Sequence, residues 1–95
     1  MAKGTELLDL ARGFSLLSDA TRLGILKILV GGPKNVTALC KAVKQKQPTV
    51  SHHLSLLRMG RLVDGTRKGK SVVYVTNTAI LKDLAAGLAK LTPRK

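Results

Sequence analysis

Ninety-five residues suffice for one compact domain with a modest core and are too few for two domains that each bury their own. Seventeen Lys and Arg against five Asp and Glu give a formal charge of +12, which calls for a polyanionic partner: nucleic acid, an anionic membrane surface or an acidic protein. An apolar share of 44% excludes a disordered polycation, and a single cysteine excludes an internal disulfide framework or a multi-cysteine zinc site.

In chain order, Leu7, Leu10, Phe14 and Leu17 recur at helical spacing and predict a first helix. Ser18 and Asp19 have short side-chain oxygens that can end that helix and cap the next. The second helix carries Leu23, Ile25, Leu26, Ile28 and Leu29 over a wide apolar face, and Gly31-Gly32-Pro33 stops it. After a loop at Lys34-Asn35-Val36, Thr37 is the expected N-cap of a short helix with Leu39, Cys40 and Val43 inside. A brief polar turn, Lys44 to Gln47, leads to Pro48 at the start of a fourth helix, whose stripe is Val50, Leu54 and Leu57 and whose end lies near Gly60. From Leu62 the period changes. Leu62-Val63 and Val72-Val73-Tyr74-Val75 predict two strands, and Arg67-Lys68-Gly69-Lys70 the turn between them. Asn77 or Thr78 opens a last helix bearing Ile80, Leu81, Leu84, Leu88 and Leu91, which Pro93 ends.

A helix-turn-helix followed at once by a basic two-stranded hairpin is a winged helix-turn-helix, mostly α with a small β-hairpin, here one domain over residues 1–95. Such a fold sets its second helix in the major groove of double-stranded DNA and its wing on the neighbouring backbone. The charge agrees with that placement: Lys41, Lys44, Lys46, Arg58, Arg61, Arg67, Lys68 and Lys70 face a single acid, Asp64, within the same stretch. With Val50, Leu54 and Leu57 turned inward, Gln47, Thr49, Ser51, His52 and Ser55 remain to meet base edges. Lys44, Lys46, Arg67, Lys68 and Lys70 are candidate phosphate contacts, which supply affinity without sequence information. The first and last helices carry more apolar surface than so small a domain can hide. A homodimer through Leu7, Leu10, Phe14, Leu81, Leu84 and Leu88 would cover it and space two reading helices along one duplex.

The segments Leu17-Ser18-Asp19-Ala20-Thr21-Arg22-Leu23-Gly24-Ile25-Leu26 and Gln47-Pro48-Thr49-Val50-Ser51-His52-His53-Leu54, with Leu56-Leu57-Arg58 and the wing from Arg67 to Tyr74, resemble the ArsR/SmtB family of prokaryotic transcriptional regulators. The resemblance covers nearly the whole chain. It implies a homodimer that binds a palindromic operator and represses adjacent genes until a signal arrives, with Ser51 and His52 at positions that contact DNA. It also implies that both known kinds of metal site are absent. Asn35 and Thr37 stand where thiolate sensors need Cys-x-Cys, and the last helix offers Asp83 but no histidine. Lys44 and Gln45 replace a common Gly and branched apolar residue in the turn, Lys46 a common Ser cap, and Arg61 a common Gly after the reading helix, with Gly60 expected to take over the helix stop.

His52 and His53 are tempting as ligands, yet neighbours on a helix point about 100° apart and cannot close on one ion from a single chain. One is expected to face DNA and the other to hold the helix to the domain. Cys40 resembles by position a cysteine of redox-responding members, but the partner cysteine is missing, so a small core residue is the simpler reading and a redox sensor the alternative. No cofactor is expected. Asp9, Asp19, Asp64, Asp83 and Glu6 are scattered, and neither histidine has a partner at motif spacing, which argues against an enzyme. No apolar run approaches the roughly 18 residues that span a bilayer, and the stretch Met1 to Glu6 leads into nothing like a leader peptide, so a cytoplasmic protein with no membrane partner is expected. Aromatic residues at 2% weigh against modules that stack single-stranded bases. Two other readings are an architectural protein that coats DNA without sequence preference and a partner-binding module that has lost DNA.

Overall fold

The computed structural model describes residues 3–93; the two residues at each end, including the start of the stretch read as unlike a leader, lie outside the described residues. Helix α1 (Lys3–Leu17) and helix α2 (Ala20–Leu29) break where the short oxygens stand. The Ser18 hydroxyl donates back to the Ser15 carbonyl at 2.7 Å, and Asp19, in extended conformation, accepts the Arg22 N–H at 3.0 Å as the N-cap of α2. Ile25, Leu26 and Leu29 on α2 are buried, which puts this helix through the centre of the core. The chain leaves α2 through Gly31 and Gly32, whose N–H groups take the Ile28 and Leu29 carbonyls, and Gly32 has a φ of 131° that suits glycine.

The stretch expected as a loop is where the structure differs first. Lys34–Asn35 form a short strand, β1, antiparallel to β3 (Ser71–Thr76), with Lys34 opposite Tyr74 and Asn35 opposite Val73. The sheet therefore has three strands in the order β1-β3-β2, with β2 at Val63–Lys68. Two residues have no period to read, and their partner strand lies far along the chain, so no local signal announces the pairing. The same shift moves the cap of α3 (Val36–Val43). Its N-cap is Asn35, whose side chain accepts the Ala38 N–H at 2.9 Å, and Thr37 sits inside the first turn. Asn exceeds Thr as an N-cap, and in extended conformation Asn35 serves strand and cap together.

Helix α4 (Gln47–Met59) follows a tight turn. Pro48 lies in its first turn as expected, and Lys46 at the N-cap position makes no side-chain cap bond. Two non-glycine residues have left-handed backbone, Lys44 with φ 58° and Arg61 with φ 63°, one on each side of α4. Gly60 closes the helix as its C-cap, but with φ −85° it does not supply the left-handed residue; Arg61 does. A Cβ at position 60 would meet the end of the Leu16 side chain of α1, which would have to shift to admit it.

The wing strands pair from Val63–Thr76 to Lys68–Ser71, and Gly69, with φ 62°, makes the turn with Lys70. Strand β2 thus runs further than the short apolar pair suggested, taking in Arg67 and Lys68. Asn77 caps α5 (Thr78–Ala89) by accepting from the Ile80 N–H, and the helix ends at Lys90, before Pro93. Helices α1 and α5 cross on two glycines: a Cβ at Gly13 would collide with Leu84, and one at Gly87 with Leu10. The core they complete is Ile25, Leu26, Leu29, Leu39, Val50, Leu54, Leu57, Leu62, Val63 and Leu84.

Candidate nucleic-acid interface

Helix α4 is anchored by its stripe. Val50, Leu54 and Leu57 are buried, so Gln47, Thr49, His52 and Ser55 emerge on the outer face, while Ser51 is half-buried at its edge. Replacing Leu54 or Leu57 by Ala removes core contacts worth about 2–5 kcal/mol, so the pose of this helix is strongly held. Lys44 and Lys46 are exposed in the turn before α4, and Arg67, Lys68 and Lys70 are exposed on the wing and its turn. Among the described residues the carboxylates near a basic side chain are Asp9, paired with Arg12, and Asp19, which pairs with His53 only when that ring is protonated, each at 3.9 Å, and neither pair includes a residue of the turn or the wing. The cations of the turn and the wing thus have no acidic partner among the described residues.

The two histidines divide as their positions on the helix require. Their ring centroids are 5.9 Å apart and tilted by 54°; His52 is exposed, whereas the His53 side chain is 14% exposed and turned toward α2. There its Nδ1 lies 3.1 Å from Nη1 of Arg22 and 3.9 Å from Oδ2 of Asp19. Arg22 Nε also donates to the Leu16 carbonyl at 2.6 Å. The Arg22 backbone N–H holds the Asp19 carboxyl below the usual carboxylate range; partial burial opposes this, and the charges of His53 and Arg22 add to it. None of the base-edge or phosphate reasoning singles out Arg22. Its cue in the sequence is the spacing Asp19-Ala-Thr-Arg22, which reads as a cap and no more.

The other candidates fall in distinct places. No three of His, Cys, Asp and Glu come together among the described residues in a way that could hold a metal ion. Asn35 is occupied as a cap, Thr37 is exposed, and Asp83 is exposed on α5. Cys40 is a free, half-buried thiol packed against the core. Of the expected dimer residues, Leu7 and Leu88 are 61% and 55% exposed, and Leu10, Phe14 and Leu81 are half-buried. Leu84 is a correction to the count of uncovered residues: the chain itself buries it to 7%, in the space that Gly13 leaves. Around these residues α1, α5 and the end of α4 form an open groove of about 780 Å³, lined in part by Leu7, Leu10, Leu16, Met59 and Leu91. No helix among the described residues is long and apolar enough to cross a membrane.

Residues 19–64, from the α2 cap to the start of the wing, match the family model described as bacterial regulatory protein, arsR family. The chain is 34% identical over 70 residues to the transcriptional repressor SdpR of Bacillus subtilis (strain 168), which covers 74% of this chain and 78% of that protein. It spans about half, 47% to 55%, of several other curated relatives that it matches. Among solved structures it is similar to an ArsR-like transcriptional regulator from Rhodococcus sp. RHA1, with a TM-score of 0.82 and 28% identity over 93% of this chain and 82% of that one. It is also similar to the homodimeric winged helix-turn-helix DNA-binding domain Mb0332 (fragment 1–100) of Mycobacterium bovis, with a TM-score of 0.77 and 28% identity over 94% of this chain and 84% of that one. With this order of elements, this wing and these relatives, the chain belongs to the ArsR family of bacterial regulatory proteins.

Proposed function

We propose that two copies of this chain bind one DNA duplex as a sequence-specific transcriptional repressor, with α4 of each in the major groove. The observation that carries this reading is α4 itself: three buried anchors fix it, its exposed side chains from Gln47 to Ser55 carry no formal charge, and unpaired cations flank it in the turn and on the wing. Gln47, Thr49, Ser51, His52 and Ser55 read base edges. Lys44, Lys46, Arg67, Lys68 and Lys70 take phosphates. The exposed side chains of Leu7 and Leu88 and the groove between α1 and α5 are covered by the second copy, as befits a chain similar to a homodimeric domain. A two-fold protein reads a two-fold site, so the operator is palindromic. Repression is the action named for SdpR, and it is the action proposed for this chain, at chromosomal DNA.

Selection of duplexes from a random pool, followed by competition against mixed DNA at fixed salt, tests the reading. The selected duplex is expected to bind roughly 10³-fold or more tighter than mixed DNA. A ratio near one would instead identify a protein that coats DNA through charge alone.

The turn is a second place to look. A lysine held in left-handed backbone costs about 1 kcal/mol relative to glycine, and Lys44 is exposed with nothing in the fold that requires its side chain. We infer that its charge is kept for phosphate. Lys44→Gly is expected to raise the unfolding free energy by about 1 kcal/mol in a urea titration. The Lys44→Gly, Lys46→Ser protein should also bind DNA with a shallower salt dependence; an unchanged salt slope would remove the turn from the interface.

A further inference from the structure

Arg22 has no role among the base-edge or phosphate candidates, and its geometry is specific. It is partly buried on the first turn of α2, and its fork spans two elements: Nε donates to the Leu16 carbonyl at the end of α1, and Nη1 approaches Nδ1 of His53 on α4 at 3.1 Å. We propose that Arg22 is a positioning residue for DNA reading, tying the end of the groove-lining helix α1 to the reading helix α4 through the His53 ring. This rests on the reading of α4 as the DNA-reading helix. His53 is one residue from His52 and two from Ser51, so a turn of α4 about its axis that broke this contact would move the base-reading side chains directly. Leu16, at the other end of the tie, fills the space that Gly60 leaves at the far end of α4 and lines the groove with Leu10 and Leu84. The tie thus joins the face expected to meet the second copy with the face expected to meet DNA.

The tie works in one protonation state. Arg22 can only donate, so the contact requires a lone pair on Nδ1 and a proton on Nε2. The charged and titratable groups beside the ring are Arg22 and Asp19 from α2 and His52 from α4 itself. A proton on Nδ1 would remove the acceptor from Arg22 and direct the ring to Asp19, whose Oδ2 lies 3.9 Å from the same nitrogen. One nitrogen therefore has two alternative partners, and the proton selects between them.

The test measures the full chain against the selected duplex and against mixed DNA, with circular dichroism to confirm that each variant is folded. Arg22→Gln and His53→Leu each are expected to lower the specific-to-nonspecific affinity ratio at least tenfold, and the double variant to lower it no further than either alone. His53→Asn keeps an acceptor where Nδ1 stood and should hold the ratio within about twofold of wild type. Arg22→Lys, which has one donor centre and cannot span both acceptors, should not rescue it. An equal loss on both DNAs for Arg22→Gln would make Arg22 a phosphate contact and overturn the proposal. An unchanged ratio in folded Arg22→Gln and His53→Leu proteins would leave the contact merely structural and overturn it too. If wild type itself shows no preference for any duplex, the regulator reading fails, and nitrogen NMR of the His53 ring decides the tie: a proton on Nε2 with Nδ1 accepting supports it, and a proton on Nδ1 overturns it.

Discussion

Placing a glutamate at both Leu7 and Leu88 is expected to convert the protein from a dimer to a monomer of 10.1 kDa in sedimentation at micromolar concentration. Both side chains are large, apolar and mostly exposed in the single chain; Leu7 lines the groove between α1 and α5, and Leu88 follows Gly87, which also lines it, on α5. Covering them removes apolar surface from water, worth about 1.5–3 kcal/mol for each fully buried leucine. A carboxylate placed there would have to be buried uncompensated. DNA affinity should fall with the dimer, by roughly 10²–10⁴, since two linked half-site contacts become two independent ones. The added negative charge weakens DNA binding on its own account. The matched control is therefore Leu23→Glu with Val30→Glu, which adds the same charge on exposed positions of α2 and its C-cap. Equal losses in the two proteins, or a Leu7→Glu, Leu88→Glu protein that remains dimeric, would contradict the interface.

The second large effect belongs to the wing. Replacing Arg67, Lys68 and Lys70 by Ala removes three exposed cations per protomer from the tip of the hairpin, where no carboxylate among the described residues pairs with them. If each meets a phosphate, the log–log salt slope of binding by the dimer falls by about 5, because each phosphate contact contributes about 0.9. The loss should be the same for the selected duplex and for mixed DNA. Base preference should stay as it was, since phosphate contacts carry no sequence information. Stability should change little, because the strands are held by the β2–β3 ladder, by Val63 in the core and by the Asn77 N–H to Leu62 carbonyl bond at 2.9 Å. A shifted base preference would move these residues from the backbone to the bases.

Much of this arrangement was legible in the residues because the signals are local. The Ser18-Asp19 break, the Pro48 start, the stripe at Val50, Leu54 and Leu57 and the Asn77 cap each depend on side chains within one or two turns of each other, and the structure places all of them as expected. What the sequence concealed depends on distant partners. Lys34 and Asn35 become a strand only because Tyr74 and Val73 present a free edge, and that pairing moves the α3 cap from Thr37 to Asn35. Leu84 reads in the sequence as part of an apolar face awaiting a second copy, and the single chain already buries it because Gly13 of α1 leaves a space for it. The left-handed backbone at Lys44 and Arg61 is invisible from residue type, since both residues ordinarily avoid it. The candidate site followed the same division. Its outer face could be counted off from the buried stripe, whereas the link from Arg22 to Leu16 and His53 appears only once three helices are in place.

The opening charge of +12 has acquired a location and a limit. Five of its cations, Lys44, Lys46, Arg67, Lys68 and Lys70, are exposed in the turn before α4 and on the wing; in the proposed reading they draw the protein to any duplex and leave the choice among duplexes to uncharged side chains on α4. A hydroxyl-radical footprint of the wild-type protein on its selected duplex tests that account most directly. Two protected half-sites related by a two-fold axis, with centres about one helical turn or 10 base pairs apart, or a whole multiple of that, are the predicted result. A single protected half-site, or even protection along the whole duplex with no two-fold centre, would contradict a dimer that reads sequence through two copies of α4.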